Sequence, residues 1–136
     1  MFIENDGEIK IEFYVRKKTK WSVNVRQNLD DLSEEEKKKY ERIECKLRPL
    51  TWKQHNDLVR SATVNRGTGM GNELDWQSYK EKKLCKILVG WDVKDKDGKP
   101  VPVTEANIFK LCPPIAEEIL QQFDNATILG EEERKN

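Results

Sequence analysis

LCKILVGWDVKDKDGKPVPVTEANIFKLCPPIAEEILQQFDNATIL, residues 84–129, sets out a sequence of local signals that reads as an architecture. Its first letters close an amphipathic helix at Gly90-Trp91, with Gly90 suited to the C-terminal cap. Asp97-Gly98 then offers a two-residue type I′ turn between extended pieces, Val93 to Lys96 and Lys99 to Val103. Pro100 and Pro102 cannot donate to a ladder, so this piece is an edge ribbon or a clipped loop. Thr104 caps a short helix through Leu111, and Pro113-Pro114 opens a last one with Ile115, Ile119, Leu120 and Phe123 on one face.

Working back toward the amino end, helical spacing persists as far as Leu50. Thr51 with Gln54 forms a capping box ahead of Trp52, His55, Leu58, Val59 and Ala62, which predicts a helix from about Trp52 to Ala62. Leu74, Trp76, Tyr79, Leu84, Ile87, Leu88 and Trp91 predict a longer one, from about Glu73 to Val89. The glycines of Arg66-Gly67-Thr68-Gly69-Met70-Gly71 favour a flexible connection between the two.

Before Leu50 the period becomes two. Ile9, Ile11, Phe13 and Val15 alternate with polar neighbours, as do Trp21, Val23 and Val25, with Lys17-Lys18-Thr19-Lys20 as the loop between them. Ile43, Cys45 and Leu47 supply a possible third strand. Ser33 to Glu36 spells a capping box for a short solvated helix or mobile loop, with Glu34–Lys38 and Glu35–Lys39 spaced for pairing. The expected fold is therefore α+β in one compact domain. Residues 1–49 form an N-terminal antiparallel β-hairpin or three-stranded small sheet with a charged insertion. Residues 50–130 form a bundle of about four short helices with a β-hairpin-like loop, and 131–136 form a frayed charged tail.

Of the 136 residues, 37% are charged and 36% hydrophobic, which points to a thin core under a strongly solvated surface. Lys+Arg and Asp+Glu balance at 25 each, leaving no global field toward nucleic acid or anionic lipid. Cys45, Cys85 and Cys112 are widely spaced and odd in number, and read as reduced thiols of a cytosolic protein. Met1-Phe2-Ile3-Glu4-Asn5-Asp6 has no basic region followed by an apolar run, so no secretory signal is expected, and Ile87-Leu88-Val89 is too short to span a bilayer.

No motif carries chemistry. Gly67 to Gly71 follows a predicted helix and lacks the Gly-Lys-Ser/Thr ending of a phosphate loop. Aligning Gly98 with the sixth position of a calcium loop puts Val93 and Thr104 where carboxylates are required. His55 is the only histidine and reads as a packed or rim residue. No cysteine pair has metal-binding spacing, so neither cofactor nor metal is expected and the chain is read as a non-enzyme. An enzyme would need its reacting group beside Asp92 or His55. Arg16, Lys17, Lys18, Lys20 and Arg26, with Tyr14 and Trp21 nearby, form a basic patch that could hold phosphates, although lysines at a hairpin tip also serve to prevent edge-to-edge aggregation. Four tryptophans, Trp21, Trp52, Trp76 and Trp91, are numerous for so polar a chain. Core anchoring explains most of them, leaving one or two for a partner surface.

Taken together, Leu50-Thr51-Trp52-Lys53-Gln54-His55-Asn56-Asp57-Leu58, Leu84 to Trp91, Lys94 to Ile108 and Leu111-Cys112-Pro113-Pro114-Ile115 resemble small tail-assembly proteins of bacteriophages. In those proteins a Leu-Thr-Trp helix start precedes a helix ending in Gly-Trp. An Asp-x-Asp-Gly-x-Pro-x-Pro-x-Thr-x-x-Asn run follows, and then a Pro-capped last helix. The likeness spans about residues 43 to 124, and the insertion Gln27 to Arg42 and the basic hairpin lie outside it.

The resemblance implies a tail assembly chaperone that keeps tape-measure or tail-tube subunits soluble in the host cytoplasm. It equally allows a minor structural protein of tail, baseplate or head–tail connector that stays in the virion. Implied partners are phage tail or baseplate proteins, with self-association open, nucleic acid a minority reading and no membrane partner. Trp52, Leu58, Tyr79, Trp91, Ile108, Ile119 and Phe123 are the residues expected to form the core or the partner-facing surface.

Overall fold

In the computed structural model, which describes residues 7–65, 67 and 71–129, the alternating runs near the amino end pair into a sheet. β1 (Ile9–Lys17) returns as β2 (Val23–Arg26), with Val15 opposite Val25. Trp21 stands outside β2, in the turn, and is 80% exposed, so the strand starts two residues later than the alternation predicts. Ser33 then caps α1 (Glu34–Lys37), accepting a hydrogen bond from the Glu36 amide. Glu36 does not reach back to complete the box. Its carboxylate pairs with Arg16 and Lys39, and the helix's own ion pairs are Glu34–Lys37 and Glu36–Lys39 in place of the predicted spacing, since one turn is too short for i,i+4 partners.

β3 (Glu41–Leu47) lies on the other side of β1, with Ile11 opposite Cys45 and Phe13 opposite Ile43. Strand alternation sends Ile11, Phe13, Ile43, Cys45 and Leu47 to one face, where all are buried. Lys10, Glu12, Arg42 and Lys46 take the opposite, solvated face, where Arg42 joins Glu12 at 2.6 Å and Glu44 at 2.9 Å.

α2 (Trp52–Ser61) starts with the Thr51 capping box complete, the Thr51 hydroxyl accepting from the Gln54 amide and the Gln54 side chain accepting from the Thr51 amide. It leads into a small hairpin of β4 (Thr63–Asn65) and β5 (Asn72–Leu74), which the sequence does not announce. The predicted glycine-rich connection falls at the tip of this hairpin, where only Gly67 and Gly71 are described, both with positive φ. The next helix therefore starts later than Glu73. α3 (Trp76–Ile87) begins after Asp75, whose carboxylate accepts from the Gln77 and Ser78 amides.

α3 also ends earlier than predicted. Leu88 leaves the helix in an extended conformation and opens β6 (Leu88–Trp91), a fourth strand antiparallel to β3. The sheet order is β2-β1-β3-β6. Gly90 is thus no helix cap; it sits opposite Lys46 in the ladder, and its φ is not positive. The free edge of β3 offers backbone partners that one more helical turn would leave unmet, and Leu88-Val89-Gly90-Trp91 is short and apolar enough to take them.

The Asp95–Lys99 turn has three loop residues, closed by Gly98 N–H to Asp95 O and Asp95 N–H to Lys99 O. Only Gly98 has positive φ, so this is a type I turn followed by a left-handed glycine and not the predicted type I′ turn. Between Val93 and Val103 a single bridge, Lys94 with Pro100, made by the bonds from Val101 N–H to Val93 O and from Asp95 N–H to Lys99 O, replaces true strands, consistent with the two prolines. α4 (Glu105–Ile108) forms under the Thr104 cap but stops short of Leu111. α5 (Pro113–Asp124) opens on its prolines and runs into a π-helical turn, Asn125–Leu129. The predicted frayed tail lies outside the described residues.

Among the described residues the fold is mixed α and β, a four-stranded antiparallel sheet and the small β4–β5 hairpin with five α-helices. The helices do not make a separate bundle: α3, α4 and α5 lie against the buried face of the sheet, with Leu84, Ile87, Ile108, Ile119 and Phe123 packed on Ile11, Phe13, Cys45 and Leu47. A smaller cluster of Leu58, Ala62 and Tyr79 joins α2 to α3. Among the described residues no helix is long and apolar enough to cross a membrane.

Candidate functional site

Seven large apolar side chains are exposed among the described residues: Trp21, Trp52, Val64, Trp76, Val89, Phe109 and Ile128. Four of them, Trp52, Trp76, Phe109 and Ile128, line three adjoining hollows along the seam between α3 and α5. The hollow at the α2 end lies between Trp52, His55, Trp76 and Ile128, with Tyr79 and Phe123 also lining it. The middle one shares Trp76, Tyr79, Lys83 and Asp124 with it, and the far one shares Lys80, Glu117 and Leu120 with the middle one and ends at Ile108 and Phe109. Together they make a trough in which apolar side chains dominate the two ends, while Lys80, Lys83, Glu117, Gln121 and Asp124 line the middle beside Trp76, Tyr79 and Leu120.

Local sequence explains the exposures. Trp76 is the first residue of α3, ahead of the first turn that packs, and remains 64% exposed. Trp52 holds the same position in α2 and is 81% exposed. Phe109 follows Ile108 directly, and on a four-residue helix both cannot face inward; Ile108 is buried and Phe109 is 54% exposed.

The aromatic rings are mutually fixed. Tyr79 meets Trp76 edge-on at 5.6 Å between centroids and His55 at 6.4 Å. Lys83 passes its ammonium over Tyr79 at 5.4 Å and Phe123 at 5.3 Å, and ends on Asp124 at 2.7 Å. Lys80 reaches Glu117 at 2.9 Å. Both ion pairs tie α3 to α5, so the charges nearest the trough floor are neutralised within the chain.

The seven residues singled out from the sequence separate into two groups. Trp52, Tyr79 and Phe123 come together around the α2-end hollow, and Ile108 lines the far one. Leu58 belongs to the α2–α3 contact, and Ile119 is fully buried against the sheet. Trp91 packs on the main core and donates from its indole nitrogen to Val101 O at 2.6 Å. Of the four tryptophans, Trp21, Trp52 and Trp76 are exposed and Trp91 packs on the core, so core anchoring does not explain most of them; Phe109 and Ile128 are surface residues that the sequence reading does not single out. Phe109 carried a signal, two adjacent apolar residues on one turn, whereas Ile128 lies on a π-helical turn that no periodicity marks.

The basic patch also divides. Arg16 pairs with Glu36 and Arg26 with Asp31, while Lys17, Lys18 and Lys20 have no ion-pair partner among the described residues. Lys20 lies 5.4 Å over the exposed Trp21 ring. Asp92 accepts a hydrogen bond from the Glu44 amide at 2.8 Å, which employs it in holding β3. Among the described residues no group of three or more His, Cys, Asp or Glu side chains could hold a metal ion.

No protein-family model matches the chain, and neither a curated protein nor a solved structure does.

Proposed function

We propose that the chain is a non-enzymatic polypeptide-binding protein of bacteriophage tail morphogenesis, an assembly factor that shelters tail subunits or tape-measure segments in the trough between α3 and α5. The observation that carries this reading is the gathering of Trp52, Trp76, Phe109 and Ile128 along one groove, on a chain whose surface is otherwise strongly charged. Exposed aromatic side chains beside hollows are the kind of anchor that dominates binding energy. A groove that sets such anchors among paired charges and is flanked by helices suits an amphipathic helix or an extended segment of another chain. The tail context comes from the sequence resemblance over residues 43 to 124.

Titration calorimetry of the purified chain with peptides tiling tail-tube and tape-measure proteins tests this. Micromolar binding by one segment is expected, weakened at least tenfold by Trp76→Glu. Failure of every tail segment to bind, or binding indifferent to that substitution, would reject the reading. Mass spectrometry of purified virions then separates a chaperone, absent from them, from a minor structural protein, present stoichiometrically. Lys17, Lys18 and Lys20, without an ion-pair partner among the described residues and close in sequence to exposed Trp21, favour a second reading, a contact with single-stranded nucleic acid. It predicts oligonucleotide affinity that falls steeply with salt and disappears when Lys17, Lys18 and Lys20 are replaced by Glu.

A further inference from the structure

We propose that the solvated face of β1 and β2 is a binding face for single-stranded nucleic acid, shielded in the free protein by the chain's own acidic segment, residues 30–36. This rests on the second reading above and carries it from the hairpin tip onto the sheet.

Charge order along the chain is the first argument. From Tyr14 to Arg26 stand five cations, Arg16, Lys17, Lys18, Lys20 and Arg26, and no acid. The next ten residues, 27–36, hold five acids, Asp30, Asp31, Glu34, Glu35 and Glu36, and no cation. Two consecutive blocks of opposite sign are thus each other's complement.

Folding brings the blocks together at two points. Strand alternation puts Tyr14, Arg16, Asn24 and Arg26 on the face away from the core, with Tyr14 directly opposite Arg26 and Arg16 opposite Asn24. The Arg16 guanidinium meets Glu36 at 2.9 Å, and Arg26 meets Asp31. Arg42, on the other side of Tyr14, is held by Glu12 and Glu44 of the sheet itself, so the arginines that the acidic segment takes up belong to β1 and β2.

The hold is weak, as a displaceable shield requires. No residue of α1 is buried, and both ion pairs keep a third or more of each side chain in water. Pairs that exposed contribute little to stability, and the phosphates of a strand already caught on Lys17, Lys18 and Lys20 offer the arginines the same kind of acceptor. Exposed Trp21 and half-buried Tyr14 add rings on which bases stack, which an acidic peptide could not use.

Fluorescence anisotropy of a labelled oligothymidylate with the full chain tests the shield. Neutralising the two contacts together, Asp31→Asn with Glu36→Gln, is expected to raise affinity at least tenfold. The slope of log affinity against log salt should steepen by roughly 1.4, two more phosphate contacts at about 0.7 each. Glu34→Gln with Glu35→Gln makes the same change in net charge without touching the sheet arginines, and its expected gain is at most about threefold. Adding Arg16→Gln and Arg26→Gln to the first variant should abolish its gain. Circular dichroism checks folding, and Asp31→Asn alone replaces the double variant should that unfold. No gain overturns the proposal, as does an equal gain in the Glu34 and Glu35 control, a gain that survives loss of both arginines, or an equal gain for polyglutamate, which has no bases. Oligonucleotide binding through the tip lysines with no gain overturns the shield alone, whereas no binding by any of these proteins overturns the second reading and the shield with it.

Discussion

Cys45 carries the clearest electrostatic consequence of any single residue. It is fully buried in the middle of β3, and burial, with the negative charges of Asp92 and Glu44 adding to it, pushes its thiol up to about 12. The unfolded chain titrates near the ordinary thiol value, so folding favours the neutral form. That contribution to stability is complete below about pH 9 and is lost as pH rises toward the folded value. Urea midpoints should therefore fall between pH 9 and 11, and less so in Cys45→Ala. In native protein at pH 8 a thiol reagent should leave Cys45 unmodified until denaturant is added. That Cys45 is buried was legible from its place between Ile43 and Leu47 in an alternating run. That the charge of Asp92 adds to the effect was not, since Asp92 is brought near by a strand the sequence reads as the end of a helix.

Among the elements, β6 separates local signal from context most sharply. Leu84 to Trp91 has the apolar spacing of a helix and a glycine where a cap belongs, yet the last four residues pair with β3. The two readings give opposite signs for Gly90→Ala. At a left-handed cap, alanine would cost roughly 1 kcal/mol. In the ladder an added Cβ would meet the Lys46 side chain at 3.5 Å, an ordinary contact, and the stiffer unfolded chain should make the variant neutral or more stable by about 0.4–1 kcal/mol. Denaturation of the two proteins decides it, and a loss of 1 kcal/mol or more would argue against the strand. The caps fared better because they are local: Thr51 with Gln54, Ser33 and Thr104 each hold the amide that their spacing predicts.

For the whole molecule, the two-layer packing divides the aromatic residues into those that hold the fold and those that face outward. Phe13 is fully buried between the sheet and its helices, so Phe13→Ala should cost about 3–5 kcal/mol. That is a large share of the ~5–15 kcal/mol that stabilises an ordinary domain. Trp52→Ala, at 81% exposure, should stay within about 0.5 kcal/mol of the parent in the same urea titration while weakening whatever occupies the trough. Both residues sit in apolar patterns that look equally fit for a core. What distinguishes them is position, because Phe13 lies mid-strand on the covered face and Trp52 lies at the first residue of a helix touching the rest through Leu58 and Ala62.

From residue order alone came what depends on neighbours within a few positions: alternation in β1 and β3, helical spacing in α2, α3 and α5, the capping side chains, and the absence of any spaced set of catalytic or metal-binding groups. Packing between distant segments decided the rest. It turned Leu88–Trp91 into a strand because the edge of β3 was open, laid α3 and α5 on the sheet, and placed Trp76, Phe109 and Ile128 along one groove. Periodicity ranks side chains by their tendency to leave water, but the supply of surface to cover them is a property of the assembled layers. Four of the seven large apolar residues left exposed after that supply is spent, Trp52, Trp76, Phe109 and Ile128, line the trough.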